Sequence, residues 1–404
     1  MNRKIFITGT GAVTPIGIGT EAYLKGLSGG RCGIADIKKA DTDGLKVKKA
    51  AEVKGFDAKD FLPARLAKDM EPFMQYAYVS AQEALAMSGL KIGEDVPECR
   101  TGIVMATALH GIDIAEKTEE GIALSGKPSG PKFLVKYMGN IAAARFSIDH
   151  NIKGPSLTVS TACSSGGDAI TVAAGMIALG TADAVVVLAG ESAVTRMNIQ
   201  SLIKMGALSQ SGRSLPFDKN RDGFVMGEGG GALILESASL VNKRGAEPLA
   251  ELLGCANNTD AFNPVSPHPD GEGAADCIRL ALANAGISAD EVDYINAHGT
   301  ATYAGDIAET TAVRSVFGER PVFVSSTKGM TGHMMGAGGI TEVIACINAV
   351  RGGGMPVNAG CTDKDPACSL NLVTEENKGS EVRIALSNAM GFGGQNSCII
   401  VGRA

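Results

Sequence analysis

The sequence predicts a protein of the α/β class. Short apolar runs that are typical of strands alternate with longer runs of helical pattern along the whole chain, and this alternation is characteristic of α/β folds. The chain has 404 residues, enough for about two to three domains' worth of core. Its 53 glycines indicate many tight turns and close backbone approaches, which favours an enzyme built around loops.

The predicted elements follow one another from the amino terminus. Strands are predicted where short β-prone runs occur, at residues 4–8, 102–105, 157–160, 184–189, 232–236, 294–297, 322–325, 383–387 and 398–401. Helices are predicted at residues 71–88, 164–179, 274–285, 305–316 and 338–350.

One segment suggests a division of the chain. Residues 257–273 read NNTDAFNPVSPHPDGEG, and their content of Pro, Asn, Asp and Gly predicts a loop. We therefore expect two halves, residues 1–255 and residues 256–404. No residue-level repeat relates the two halves in the sequence.

Composition and charge argue against several classes of protein. The net charge of −6 argues against binding to nucleic acid or to anionic membranes. No apolar run reaches the roughly 18 residues of a membrane span, and the first nine residues lack the apolar region of a secretory signal. The nine cysteines are scattered and form no CxxC pair, so we expect reduced thiols, no zinc site and a cytoplasmic protein.

The first motif whose residues could take part in a reaction is LTVSTACSSGGD, residues 157–168. A β-prone run ends in small residues and a helical pattern follows, which places Cys163 at the turn before a helix. The helix dipole and free N–H groups there would lower the pKa of the thiol and could form half of an oxyanion hole. The alternative is a structural cysteine, because free cysteines are usually buried.

Two histidines lie in glycine-rich turns that follow predicted strands. His298 stands in YINAHGTAT, and His333 stands with Lys328 in SSTKGMTGHMMGAGG. Side chains at such strand ends can project into a crevice. The second turn lacks the order of a phosphate-binding loop, and no Cys or carboxylate lies at ligand spacing for a metal.

Two further glycine-rich turns have different interpretations. NAMGFGGQN, residues 388–396, follows a predicted strand and can offer backbone N–H groups, or it is simply a tight turn. Gly9-Thr10-Gly11 loosely resembles a dinucleotide-binding turn, but the third glycine and a clearly placed acidic residue are missing. We therefore predict no cofactor at the amino terminus.

Taken together, these motifs resemble the β-ketoacyl-acyl-carrier-protein synthases of the thiolase superfamily. The resemblance spans essentially the whole chain, through ITGTGAVTPIG, TACSSG, PFDKNRDGFVMGEGGG, NAHGTATYAGD, STKGMTGHMMGAGG and NAMGFGGQN. It is to the type with two catalytic histidines. It implies a thiolase-like fold in which two pseudo-repeated halves build a layered α-β-α-β-α architecture.

The resemblance also implies the reaction. An acyl group is held as a thioester on Cys163, malonyl-carrier protein loses CO2, and its enolate attacks that thioester in a Claisen condensation. His298 and His333 would stabilise the enolate oxygen, and the backbone N–H groups of Cys163 and Phe392 would form a second oxyanion hole. Phe392 would also control access to the thiol. No cofactor is implied.

The resemblance assigns supporting residues as well. Lys328 and Glu309 would orient the site through an ion pair, and Thr300 and Thr302 would bind the pantetheine arm. By rough alignment Leu109 and Leu202 would shape a pocket for a medium or long saturated acyl chain. The implied partners are acyl- and malonyl-loaded carrier protein and a second copy of the chain in a homodimer.

Carrier proteins are acidic and this chain is net negative, so docking should need a local basic patch. The candidate residues are Arg65, Lys68, Lys127, Lys132 and Lys204. Asp69 and Gly206 stand where the family has further basic residues.

Other departures leave the pathway open. Ala301, Tyr303 and Gln395 replace residues that are usual in the family, and Ser164-Ser165 replaces the Ala-Thr common in bacterial fatty-acid synthases. TACSSG also occurs in polyketide-type ketosynthases. We expect fatty-acid elongation, with a specialised polyketide or polyene ketosynthase as the alternative.

Two further functions fit the sequence less well. A non-catalytic, chain-length-setting partner would lack the nucleophile, whereas Cys163 and both histidines are present. A degradative thiolase would need a second cysteine in the loop at residues 391–394, and the nearest one, Cys398, lies in a predicted strand.

Overall fold

The computed structural model describes residues 3–404. Its strands are β1 (Ile5–Thr14), β2 (Gly17–Ile18), β3 (Ala35–Asp36), β4 (Lys49–Ala50), β5 (Thr101–Ala106), β6 (Ser156–Val159), β7 (Ala184–Glu191), β8 (Gly229–Ser237), β9 (Ala250–Thr259), β10 (Tyr294–Asn296), β11 (Phe323–Ser325), β12 (Asn371–Leu372), β13 (Ile384–Gly391) and β14 (Gln395–Gly402).

The helices of the same residues are α1 (Thr20–Ser28), α2 (Ala64–Asp69), α3 (Pro72–Ser88), α4 (Ile112–Ser125), α5 (Phe133–Tyr137), α6 (Ile141–His150), α7 (Ser165–Ala178), α8 (Arg196–Lys204), α9 (Ala238–Arg244), α10 (Glu272–Ala285), α11 (Tyr303–Phe317), α12 (Lys328–Thr331) and α13 (Gly338–Asn348). Across residues 3–404, no helix combines the length and apolar composition that a membrane crossing needs.

The order of the strands repeats. One half of the sheet runs β6-β5-β7-β8-β1 and the other runs β11-β10-β13-β14-β9, with the short β12 added outside β11 and β2 paired with β1. Counted along the chain within each half, both orders read third, second, fourth, fifth, first. In both halves the first two pairings in this order are parallel and the last two are antiparallel. The pseudo-repeat implied by the family resemblance is therefore present in the topology, although the residues do not repeat.

The two halves meet where β1 pairs with β9 in antiparallel fashion, at Ile5 with Leu252 through Ile7 with Ala250. The predicted division after residue 255 falls inside β9, which was not predicted as a strand. Because β9 is the first strand of the second order, we propose that the second half begins at Ala250.

The helices form three layers around the two halves of the sheet. Helices α3 and α6 pack outside the first half, α10 and α11 outside the second, and α7 and α13 lie between the halves. Successive residues of β7 point to opposite faces: Val185 and Val187 join the core around α7 and α13, while Val186 and Leu188 join the core under α3. Both faces are covered, which confirms the layered α-β-α-β-α architecture.

All nine predicted strands and five predicted helices are present, with boundaries that differ by several residues. The largest difference is β1, which continues to Thr14 instead of ending at residue 8. A Cβ added at Gly9 would lie 2.0 Å from the Ala84 carbonyl oxygen of α3. The glycine therefore does not end the strand; it lets α3 pack closely on it.

The two middle helices approach each other closely at their amino-terminal ends. A Cβ on Gly339 of α13 would lie 2.8 Å from the backbone nitrogen of Gly167 in α7. This crossing brings together the two motifs that carry Cys163 and His333.

Candidate active site

Cys163 lies in a strained turn between β6 and α7. Ala162 has a φ of 52°, in the left-handed region that non-glycine residues rarely adopt. Side chains of α7 hold this turn: Ser165 Oγ accepts the Thr161 N–H at 2.9 Å, and Asp168 accepts the hydroxyls of Thr161 and Ser164. The turn presents the cysteine to a cavity of about 630 Å³, as expected for strain kept at a functional site.

The two predicted histidines meet this cysteine. His333 Nε2 lies 2.9 Å from Cys163 Sγ, and the rings of His298 and His333 stand edge to face with centroids 5.3 Å apart. All three residues line the same cavity. The structure therefore brings together residues that are 170 positions apart in the chain.

Backbone interactions hold the histidines. The Glu309 carboxylate accepts the N–H groups of His298 and Gly299, both at 2.7 Å. The backbone of His333 bonds to Val225 and Gly227, within the segment PFDKNRDGFVMGEGGG. Within the described residues, the buried Nδ1 atoms of both histidines have no hydrogen-bond partner, so the backbone contacts and the edge-to-face contacts among His298, His333 and Phe224 hold the rings.

Burial makes both histidines neutral near pH 7. It lowers the pKa of His298 and of His333 well below the usual value, and the positive charge of Lys328 lowers both further. A neutral imidazole can accept a proton from a thiol or share a hydrogen with an oxyanion.

The expected low pKa of the nucleophile is contradicted. Burial raises the pKa of the Cys163 thiol to about 12, although Lys328 and a hydrogen bond from the Phe392 backbone act in the opposite direction. The thiol precedes a helix as predicted, but the loss of water around it outweighs the favourable charges. The proton must therefore be removed locally, and His333 Nε2, 2.9 Å from the sulfur, accepts it in the tautomer that carries its own hydrogen on Nδ1.

The predicted ion pair between Lys328 and Glu309 is wrong. Lys328 Nζ pairs instead with Glu342 of α13, and both side chains are at most 3% exposed. Glu309 is occupied by the backbone of the His298 turn. Glu342 was missed, although a single acid in the apolar run GGITEVIACINAV was a signal for a buried charge with a partner.

The other predicted pocket residues lie at the cavity. Thr300, Thr302, Leu109, Leu202 and Phe392 all line it, and the two threonine hydroxyls are 3.1 Å apart.

Tyr303, noted in the sequence only as a departure, also lines the cavity. It is 67% exposed, and its ring lies over the buried guanidinium of Arg221.

The predicted docking residues lie outside the cavity. Arg65, Lys68, Lys127, Lys132 and Lys204 are all exposed, and none lines the cavity. Lys132 is not a free cation, because its Nζ pairs with Asp69 at 2.6 Å. In the described part of the chain, no cluster of three or more His, Cys, Asp or Glu side chains could hold a metal ion.

Comparison with known proteins gives consistent matches. Residues 2–240 match the family model for the beta-ketoacyl synthase N-terminal domain, and residues 249–362 match the model for the C-terminal domain. The chain is 37% identical to the 3-oxoacyl-[acyl-carrier-protein] synthase 2 of Synechocystis sp., over 98% of this chain and 96% of that one.

Solved structures match over the whole chain as well. The ishigamide ketosynthase/chain length factor superposes with a TM-score of 0.93 at 32% identity, covering 100% of this chain and 99% of that one. A type II polyketide ketosynthase in complex with its acyl carrier protein superposes with a TM-score of 0.90 at 28% identity, with full coverage of both chains.

Proposed function

The chain belongs to the β-ketoacyl synthase family, and from this premise we propose that it is a 3-oxoacyl-acyl-carrier-protein synthase of fatty-acid elongation. It is an acyltransferase that joins malonyl-carrier protein to an acyl group held on Cys163 and lengthens the chain by two carbons. The observation that carries the proposal is the 2.9 Å contact between Cys163 Sγ and His333 Nε2 at a cavity that His298 shares.

The first half-reaction loads the acyl group. His333 Nε2 takes the thiol proton, and the sulfur attacks the thioester carbonyl of acyl-carrier protein. The N–H groups of Cys163 and Phe392 stabilise the resulting oxyanion. When the intermediate collapses, the bond to the carrier's sulfur breaks and the carrier leaves as a thiol with the proton from His333.

The second half-reaction forms the carbon–carbon bond. After the carrier has left, His333 Nε2 takes up a proton from the solvent. Malonyl-carrier protein loses CO2, and the electrons of the broken bond form an enolate whose oxygen accepts hydrogen bonds from His298 and from this reprotonated His333. The enolate carbon attacks the Cys163 thioester. The sulfur leaves as a thiolate and takes the proton from His333, and the β-ketoacyl product remains on the carrier. Apart from the solvent proton, every bond change is between the substrates and this chain's own groups.

The cavity wall supports a substrate with an aliphatic chain. Leu109 and Leu202 line the cavity together with Phe224 and Met335. We propose that these side chains accept a medium or long saturated chain, because contact with apolar walls favours binding in proportion to the buried area.

One observation favours a second function. The match to the ishigamide ketosynthase/chain length factor covers the whole chain, and the TACSSG motif is shared with polyketide-type ketosynthases. A ketosynthase of a polyketide or polyene pathway is therefore the alternative. It would use the same Cys163 chemistry on a different acyl chain.

The proposal is tested by intact-protein mass spectrometry. Wild type and Cys163→Ala are incubated with carrier proteins that bear saturated, polyene or polyketide chains. We expect an acyl adduct on the wild type only, with saturated medium or long chains loaded fastest. Fastest loading by a polyene or polyketide chain would favour the alternative, and no adduct from any donor would contradict an enzymatic function.

We propose that the carrier docks on the basic residues Arg65, Lys68, Lys127 and Lys204, with Lys132 weakened by its pair with Asp69. Reversing Lys68 and Lys127 to Glu should raise KM for carrier-linked substrate and leave kcat unchanged. A double reversal of the exposed Lys25 and Lys91 changes the net charge equally and is the control. An equal KM in both variants would remove this patch from the interface.

We also propose a homodimer and a cytoplasmic location. The edge strand β6 and the apolar side chains exposed near it support the dimer, and nine free cysteines favour a reducing compartment.

A further inference from the structure

Glu191 is a fully buried carboxylate at the carboxyl end of β7. Its Oε2 accepts the N–H groups of Ala108 at 2.8 Å and Gly336 at 3.2 Å, and its Oε1 accepts the N–H of Leu109 at 3.2 Å. The Thr107 hydroxyl also donates to it. Within residues 3–404 no Lys, Arg or His forms an ion pair with Glu191, so only neutral donors compensate its burial.

Burying such a carboxylate is energetically unfavourable. Burying an ionised group without a cation is unfavourable, and burial raises the pKa of Glu191 to about 7. A glutamine would remove the charge, but its NH2 group would face an N–H donor, because both oxygens of Glu191 accept backbone N–H groups. Only a carboxylate accepts from all of these donors, so its role lies in the loops that donate to it.

The donors belong to two loops of the site. Ala108 and Leu109 follow β5 and line the cavity where the acyl chain is proposed to bind. Gly336 follows Met335, which also lines the cavity, and lies three residues after His333. A Cβ on Gly336 would lie 2.8 Å from the Ala108 nitrogen. The two loops thus touch at the point where Glu191 binds both.

We propose that Glu191 is a positioning residue that couples the acyl-chain wall at Leu109 to the loop that sets His333 against Cys163. A chain that presses on Leu109 then changes the hydrogen bonds of the carboxylate and, through Gly336, the placement of His333. Selectivity for chain length and reactivity of the thiol would depend on the same side chain. The claim that Glu191 affects selectivity for chain length rests on the proposed function. The claim that it affects the reactivity of the Cys163 thiol does not.

The first test is Glu191→Gln, which keeps the shape but places an amide nitrogen against N–H donors. We expect the ratio of Cys163 loading by dodecanoyl- over butyryl-carrier protein to change by about 2- to 30-fold, the range typical of such couplings. Alkylation of Cys163 by iodoacetamide at fixed neutral pH should become faster, because the Glu191 charge raises the pKa of the thiol. Lys328, Glu342, His298 and His333 also face this thiol and stay unchanged.

The matched control is Glu236→Gln. Glu236 is equally buried, but it lies in β8 and binds Arg244 and Thr8, away from the cavity. It should lower the melting temperature without changing either the loading ratio or the alkylation rate. If Glu191→Gln behaves like this control, the role is only structural and the proposal is wrong.

A second variant covers the case in which Glu191→Gln does not fold. Thr107→Val removes one hydroxyl donor and keeps the charge, and Thr107 does not line the cavity. It should shift the loading ratio in the same direction by a smaller factor, and an unchanged ratio would overturn the coupling. A different outcome is that no carrier-linked acyl group loads Cys163, while Glu191→Gln still makes alkylation faster. This would count against the proposed function and leave the link between Glu191 and the thiol supported.

Discussion

At the scale of the residue, the buried pair of Lys328 and Glu342 influences the pKa values of the catalytic side chains. Both side chains are almost completely buried and pair with each other. The lysine charge lowers the pKa of both histidines and opposes the rise in the pKa of Cys163. Burial, which is the larger cause, and the lysine charge together keep His298 and His333 neutral and ready to accept or share a proton.

Removing one member of this pair should destabilise the protein. Lys328→Met leaves Glu342 buried without a cation, which typically costs about 3–5 kcal/mol, and Lys328→Met/Glu342→Gln should recover most of this loss. Burial raises the pKa of Glu342, so in the single variant the folded state binds this proton more tightly than the unfolded state. Its deficit should therefore shrink as the pH falls from about 8 to about 5.

Urea denaturation of wild type, single and double variant at both pH values measures this prediction. A single variant as stable as the wild type at the higher pH would contradict it.

The reactivity of Cys163 with pH separates the two expectations for its pKa. Because burial raises that pKa to about 12, the rate of alkylation by iodoacetamide should keep rising between about pH 6 and pH 9, since only the thiolate reacts. Exposed thiols such as Cys32 and Cys99 react in parallel, so the rate in Cys163→Ala is subtracted. A plateau near neutral pH would instead indicate the helix-stabilised thiolate that the sequence suggested.

At the scale of the element, the crossing of α7 and α13 sets the distance between the nucleophile and His333. Both helices begin within the last residues of a catalytic motif, and their first turns contain Gly166, Gly167, Gly338 and Gly339. Larger side chains there would push the helices apart. Such a shift would lengthen the contact between Cys163 and His333, which is 2.9 Å in the structure.

Gly339→Ala should therefore reduce both stability and activity. Its Cβ would lie 2.8 Å from the Gly167 nitrogen, and overpacking of this kind costs about 1–3 kcal/mol. Gly175→Ala in α7 is the control, because nothing lies within 4 Å of its added Cβ and alanine favours the helix by about 1 kcal/mol. Thermal unfolding measures the stability of the two variants, and the condensation rate measures their activity. If both variants are equally stable, the close crossing of α7 and α13 does not restrict the side chain at residue 339.

At the scale of the whole molecule, the sheet leaves β6 at its edge. Leu157 of this strand is 51% exposed, and Ile148 of α6, the helix packed on β6, is 72% exposed. An exposed apolar edge strand is a site for pairing with another chain. In the proposed homodimer, the chain that pairs with this edge strand is a second copy of the same protein.

Leu157→Lys should weaken that dimer. The charge would be buried in the interface and interrupt its apolar contacts, so sedimentation velocity should show a shift towards monomer that increases on dilution. Leu179→Lys is the control, since this leucine follows α7 and is 83% exposed. Equal sedimentation of Leu157→Lys and wild type would place the interface elsewhere.

The sequence alone determined the fold class and the central triad of side chains. Strand and helix periodicity is a local property, so the nine predicted strands and five predicted helices were found. Cys163, His298 and His333 each stood in a small-residue turn at a strand end, and the family resemblance predicted that these turns meet. Their 2.9 Å and 5.3 Å separations agree with that prediction.

The tertiary structure alone decided the charges of the site. The partner of Lys328, the raised pKa of Cys163 and the three backbone donors on Glu191 depend on which groups are buried together. Burial and long-range contact are set by the packing of α7, α13 and the two halves of the sheet, not by local pattern. For the same reason the repeat of the strand order is visible only in the topology, because different residues satisfy the same packing in each half.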